Sequence, residues 1–352
     1  MTEPDDAAWI AAAGAPRAGV AAAPDHPVRD DATTPTTTDP EVTGAPSSPD
    51  GAVLVADGHV VAVVEPSDSG APRPGEGELG PTGRPRRSVP EPRPVVGHGP
   101  ARVLAMCNQK GGVGKTTSTI NLGAALAGYG RKVLLVDLDP QGALSAGLGV
   151  ASHELDRTVY NLMLEHSTQI TDVLVPTKVA GMDLIPANID LSAAEVQLIT
   201  EVGREQILAR ALRPVLAHYD YVLIDCQPSL GLLTVNALAV ANGVIIPLAA
   251  EFFSLRGVAL LVDTIDKVKE RINPELDVEG VLVTMFDGRT VHGREVVNML
   301  VQRFGDDVYD TVIARTVKFP ETTVAGEPIT SYAPASQAAE AYRALAREVI
   351  AR

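Results

Sequence analysis

Residues 108–117 read Asn-Gln-Lys-Gly-Gly-Val-Gly-Lys-Thr-Thr. Gly111, Gly112 and Gly114, with Val113 between them, let backbone N–H groups turn inward around phosphate oxygens. Lys115 directly follows Gly114 and precedes Thr116, the order a phosphate-binding loop requires. The lysine serves the outer phosphates and the Thr116 hydroxyl serves magnesium, while Thr117 falls beside the inner phosphates. The pattern G-x-x-x-x-G-K-[ST] fails at its first position, where Gln109 stands, and a second lysine, Lys110, precedes Lys115 by five residues. The chemistry these types can do is binding of ATP with Mg2+.

Two further segments carry carboxylates. Val136-Asp137-Leu138-Asp139-Pro140-Gln141-Gly142 places acids at i and i+2, on the same side of a strand end. Tyr221-Val222-Leu223-Ile224-Asp225 ends four apolar residues with an acid, the requirement for a strand that holds magnesium near phosphates.

These residues need elements to hold them. Val103–Met106 is a short apolar run before the glycines, and 117–129 after them reads as a helix closed by Gly130. Strands are expected at 132–137, 182–186, 221–225, 244–248, 278–285 and 308–313. Helices are expected at 192–217, broken near Gly203, and at 231–241, 255–272, 291–304 and 335–351. Strands apolar on both faces, alternating with helices, predict an α/β fold: a doubly wound, mostly parallel sheet with helices on both faces. Ligands then bind outside the carboxyl ends of the strands, where all three acids fall.

Composition shifts near residue 100. Residues 1–100 hold 17 of the 27 prolines, no lysine, and 15 Asp/Glu against 7 Arg. Such a stretch buries too little apolar surface to offset its ordering entropy, so 1–100 is expected to be a disordered acidic extension and 101–352 one globular domain. Within the extension, 52–55 and 59–64 could pair as a hairpin, which is marginal alone. Net charge is −15 overall and −7 for the domain, so any nucleic-acid contact needs a local basic patch. Two cysteines, Cys107 and Cys226, indicate neither a disulfide framework nor an iron–sulfur site. No apolar run of 18 residues appears, and the acidic first 30 residues lack the basic start of a signal peptide, so a cytoplasmic setting is expected.

K-G-G-x-G-K-T resembles the deviant Walker A loop of the ParA/MinD/Soj ATPases. The resemblance runs from about residue 102 to the end and includes D-x-D-P-Q-G at 137–142, Asp225–Leu230, Asp287-Gly288-Arg289-Thr290 and Thr316-Val317-Lys318. It is closest in kind to Soj-like chromosome-partitioning ATPases. It implies that Lys110 reaches across an ATP-dependent homodimer to the partner's nucleotide, that Asp139 positions the attacking water, and that Asp137 supports the magnesium shell. It implies non-specific DNA binding through Arg289 and Lys318, with Arg315 close by, a nucleoid-associated location, and a ParB-type partner that stimulates hydrolysis. Some Soj-like proteins also act on a replication initiator. Gln227 replaces a proline of the family pattern, which should alter the stiffness of that loop, and Ala314-Arg315-Thr316 departs from the family near the expected adenine pocket. Two other readings share the fold. A MinD-like membrane-surface ATPase would need a basic amphipathic C-terminal helix with large apolar anchors, which 339–350 lacks. A metabolic ATP-dependent enzyme would need a second substrate cluster outside the nucleotide motifs.

Overall fold

The computed structural model describes residues 79–250 and 255–352. Among these, seven strands form one sheet in the order β3-β4-β2-β5-β1-β6-β7. They are β1 (Arg102–Met106), β2 (Val133–Leu138), β3 (Val175–Pro176), β4 (Met182–Ile185), β5 (Tyr221–Cys226), β6 (Gly243–Ala249) and β7 (Asp277–Thr284). Every pairing is parallel except that of β3 with β4 at the edge. Alternation along each strand divides the core. Val103 and Ala105 of β1 and Leu134 and Val136 of β2 face one cluster; Leu104, Met106, Val133 and Leu135 face the other.

Helices cover both clusters. On one side lie α3 (Val159–Leu164), α4 (Leu191–Gln197), α5 (Ile207–Leu212), α6 (Leu232–Val240), α7 (Leu255–Arg271) and α8 (Val291–Phe304). On the other lie α1 (Lys115–Gly128), the short α2 (Ala143–Gly147) and the last helix, α11 (Gln337–Ala351). The apolar face of α11 (Ala339, Tyr342, Leu345, Ala346, Val349) is buried in this second core, and no described helix is long and apolar enough to cross a membrane. The expected doubly wound architecture is the one observed.

Two local expectations change and one is met. The run 308–313 is not a strand: only Val308 and Ala314 bridge to the β7 side, at Val281 and Phe286. Between these points the N–H groups of Asp310 and Thr311 donate to the Glu348 carboxylate, both at 2.8 Å, so a side chain takes the bonds a ladder would need. The helix expected over 192–217 is interrupted near Gly203, as expected, where that residue takes φ 66°. A helix not foreseen, α9 (Lys318–Ala325), precedes the one-turn α10 (Ile329–Tyr332). The 52–64 hairpin lies outside the described residues.

Residues 79–98, grouped by composition with the extension, lie against the domain. Arg84 pairs with Asp310 at 2.6 Å, Arg87 with Asp306 at 2.7 Å, Glu91 with Arg347 at 3.6 Å and His98 with Asp220 at 2.8 Å. Discrete charge pairs do this, and composition carries no sign of them.

Helix α1 is seated tightly because it must present the phosphate loop. A Cβ at Gly123 would lie 2.8 Å from Leu135 Cδ2 and 3.2 Å from the Met182 sulfur, both inside the core. Gly123→Val should therefore destabilise the fold by about 1–3 kcal/mol in denaturant unfolding. Unchanged stability would mean that the helix can back away from the sheet.

Candidate functional site

The loop between β1 and α1 sits in the crevice where the chain goes to β2 on one side and later to β6 on the other. Gly112 and Gly114 take φ 73° and 84°, conformations that turn the backbone in on itself. Side chains from neighbouring strands fasten the loop. The Asn108 amide donates to the Pro247 carbonyl of β6 at 2.7 Å, while its oxygen accepts from Lys110 N at 2.9 Å. Thr284, at the end of β7, donates to the Val113 carbonyl at 2.8 Å. Neither Asn108 nor Thr284 was singled out from sequence. Both are buried polar residues at strand ends, a signal visible only once the strands are side by side.

The two lysines lie differently. Lys115 is buried, and its ammonium donates to the Lys110 carbonyl at 3.2 Å, curled over the loop. The Lys110 side chain is exposed.

The carboxylates converge as the strand ends require. Asp137 and Asp225 are direct register partners on β2 and β5, and both are fully buried. Thr116 donates to Asp225 at 2.6 Å. Asp137 accepts from the Ser145 N–H at 2.9 Å and its hydroxyl at 2.7 Å, which tie the start of α2 to the strand. Burial pushes the Asp137 carboxyl up to about 7. Burial, then the Asp137 charge, push Asp225 up to about 8. Asp139 is half-buried and holds the turn after β2 by accepting from Gln141 N at 3.0 Å. Gln227 donates to Glu195 of α4 at 2.8 Å, a link between the loop after β5 and a helix that sequence reading missed.

The donor set fits Mg2+ and a nucleotide. Two buried acids and a threonine hydroxyl are hard oxygen ligands, and a divalent cation would offset the burial that raises both carboxyls. Nothing lies within 4 Å of where a Cβ would stand at Gly111 or Gly112, so the loop is open to a ligand. The Gln109 amide nitrogen, in the same loop, is buried without a hydrogen-bond partner. Beside the loop is a cavity of about 360 Å3, lined by Gly114, Thr117, Met285, Arg315 and Phe319 among others; it includes 314–316, which the family resemblance sets near the adenine pocket, and is called the base-end cavity for that reason.

The basic candidates divide. Arg289 and Arg315 line one cleft of about 780 Å3, together with Pro81 and Val317. Arg289 is 91 % exposed and forks onto the Asp287 carboxylate at 2.9 and 2.8 Å, holding that acid down to about 2. Arg315 also lines the base-end cavity, so the stretch 314–316 separates the two. Lys318 opens α9 next to Val317 but is not part of the cleft lining.

A glycine loop between a parallel strand and a helix, facing two strand-end carboxylates, defines a P-loop nucleoside-triphosphate-binding protein. The AAA domain family model matches residues 101–278. An uncharacterised protein of Mycobacterium tuberculosis is 67% identical over 288 residues, covering 80% of this chain and 91% of its own. The chromosome-partitioning ATPase Soj of Treponema pallidum is 49% identical over 251 residues, covering 71% of this chain and 98% of its own. Among solved structures, the cobyrinic acid a,c-diamide synthase of Mycobacterium smegmatis, with bound ATP analog and magnesium, is 41% identical with a TM-score of 0.61, covering 71% of this chain and 94% of its own. The chain belongs to the ParA/Soj family of chromosome-partitioning ATPases. Residues 101–352 make up 252 of the 352 residues, less than the 80% matched by the Mycobacterium tuberculosis relative. That similarity therefore runs upstream of residue 101, whereas the Soj match does not need to.

Thr284→Val keeps the shape of the side chain beside Gly114 but removes the donor to the Val113 carbonyl. Nucleotide affinity should fall about fivefold, the equivalent of about 1 kcal/mol, in a fluorescent-ATP titration, with the fold intact. An unchanged affinity would show that the loop keeps its shape without β7.

Proposed function

We propose that this chain is an ATPase whose ATP-bound form dimerises, binds DNA non-specifically and acts in chromosome partitioning with a ParB-type partner that stimulates hydrolysis. The observation that carries the reading is the pair of lysines: Lys115 is drawn into its own loop, and Lys110, five residues earlier, stands exposed at the loop's mouth. A second lysine left exposed is suited to the phosphates of a facing copy.

The remaining roles follow from placement. Gly111, Gly112, Val113 and Gly114 supply backbone N–H groups, Lys115 neutralises the outer phosphates, and Thr117 lies beside the inner ones. Thr116, Asp225 and, more remotely, Asp137 hold magnesium, whose contribution when bound is to neutralise charge on the phosphates. Asp139 directs water, since its half-buried carboxylate lies after β2 near the loop. Phosphoryl transfer needs little beyond this positioning and charge stabilisation. Arg289 and Arg315 offer phosphate contacts that carry no base readout, and Lys318 adds charge at the edge. The absence of large anchors on α11, whose apolar face is already used in the core, weighs against a membrane-surface role.

One neighbour favours a second reading. The Mycobacterium smegmatis protein is named as a diamide synthase, and a synthase would hydrolyse ATP only with its acceptor present. Turnover of ATP by the purified chain with DNA and no acceptor supports the partitioning reading; strict dependence on a small-molecule acceptor supports the other.

The lysines give the sharper test. Lys115→Ala should abolish ATP binding. Lys110→Ala should still bind ATP within about threefold of wild type yet fail to dimerise in analytical ultracentrifugation and fail to turn over, because only the charge supplied in trans is gone. Equal loss of nucleotide affinity in both variants would rule out the trans role of Lys110.

A further inference from the structure

Residues 79–98 form a basic strap on an acidic protein. They carry four arginines and one glutamate, a net of +3, against −7 for residues 101–352. The arginines have separate uses. The Arg84 side chain is 16% exposed, pairs with Asp310 and donates to the carbonyls of Gly305, at 3.0 Å, and Val308. Arg87 pairs with Asp306 at 2.7 Å. These two fasten the strap. Arg86, between them in the chain, is exposed, and among the described residues it makes no ion pair.

The turn at the start of the strap fixes where Arg86 lies. Leu79 bridges to Pro85, and Gly80 N donates to the Arg84 carbonyl at 2.7 Å. The Arg86 stem packs over this turn, with its Cγ 3.5 Å from where a Cβ on Gly80 would stand. Pro81, the next residue, walls the cleft that holds Arg289 and Arg315. A second cleft of about 690 Å3 shares Pro81, Val312 and Ala314 with the first, and Arg84, Arg86 and Arg87 line its strap side. The acids of this second cleft are already engaged. Arg84 takes Asp310, Arg347 takes Glu340 at 3.0 Å, and Glu348 accepts from the Asp310 and Thr311 N–H groups at 2.8 Å. Pro81, Pro85 and Pro90 stiffen the strap, so holding Arg86 ready costs little further ordering entropy.

We propose that the strap is a second section of the DNA-binding surface, in which Arg86 takes a backbone phosphate beside those taken by Arg289 and Arg315. The proposal rests on the DNA-binding reading of the Arg289 cleft. Its physical basis is the density of charge on a duplex, about one phosphate for every 1.7 Å of axis. Each phosphate neutralised releases counterions, so a surface that runs across two joined clefts gains over one confined to a single cleft. On a domain with net negative charge, such a gain must come from a local basic stretch, and the strap is one.

The test measures binding of a labelled random-sequence duplex to full-length chains with Mg2+ and ATP over a range of salt. Arg86→Ala is compared with Arg271→Ala, which removes the same charge from α7; the Arg271 side chain is 72% exposed and lines neither cleft. Arg86→Ala should weaken binding roughly threefold to tenfold at low salt and lower the slope of log K against log salt by about one. The loss should be the same for duplexes of different sequence, because phosphates carry no base readout. Arg271→Ala should leave the slope unchanged. Arg86→Lys keeps the charge and should bind as wild type does, and thermal melts should not move, since Arg86 fastens nothing. If Arg86→Ala and Arg271→Ala bind alike while Arg289→Ala binds weakly, the strap proposal is overturned and the DNA reading stands. If the wild type shows no salt-sensitive DNA binding, the DNA reading falls and this proposal with it.

Discussion

Two buried carboxylates cannot share a small space in a protein without a counter-charge or a proton. Asp137 and Asp225 are forced into that position by the sheet, because parallel pairing of β2 with β5 puts them opposite each other at the carboxyl ends. Each is the last outcome of an apolar run, so neither can move to water without unpicking a central strand. The rest of the site is arranged about this pair: Thr116 donates to one acid, Ser145 to the other, and the glycine loop lies open alongside. Burial raises both carboxyls, and hard oxygen ligands held in this way suit a divalent cation.

Around this centre the fold sets two cavities back to back. The base-end cavity and the arginine cleft share Ala314, Arg315, Thr316 and Pro320 as a common wall. Met285, at φ 51°, lies at the start of the loop that bears Arg289 and also lines the base-end cavity. A non-glycine residue held there costs of order 1–3 kcal/mol, and such strain is a usual companion of ligand-dependent loops. Occupancy of one cavity and the shape of the other are therefore mechanically adjacent, with one stretch of backbone between them.

Much of this was legible in the sequence because it depends on short-range order. The glycine loop, the strand runs and the acids that end them are contiguous, and alternation of apolar runs with helical periods gave the doubly wound sheet. What escaped depends on partners distant in the chain. Asn108 and Thr284 matter only because β6 and β7 lie beside the loop. Residues 308–313 look like a strand until Glu348, from α11, takes the N–H groups of Asp310 and Thr311. Residues 79–98 look featureless until Asp306 and Asp310 meet Arg84 and Arg87. Gln227 was marked as a departure, and its bond to Glu195 of α4 gives that departure a structural consequence.

The central claim is that the Asp137–Asp225 pair is built for a divalent cation delivered with nucleotide. Calorimetric titration of Mg2+ into the protein–ATP complex near pH 7, repeated in buffers of different ionisation enthalpy, tests it directly. With the Asp137 carboxyl pushed up to about 7 and that of Asp225 to about 8, the first is half protonated near that pH and the second mostly so, and the cation should expel those protons. The account predicts net proton release of about one per Mg2+ bound, fading by about pH 9 where both acids are already ionised, and lost in Asp225→Asn. Magnesium binding with no proton release at pH 7, or binding untouched by Asp225→Asn, would contradict it.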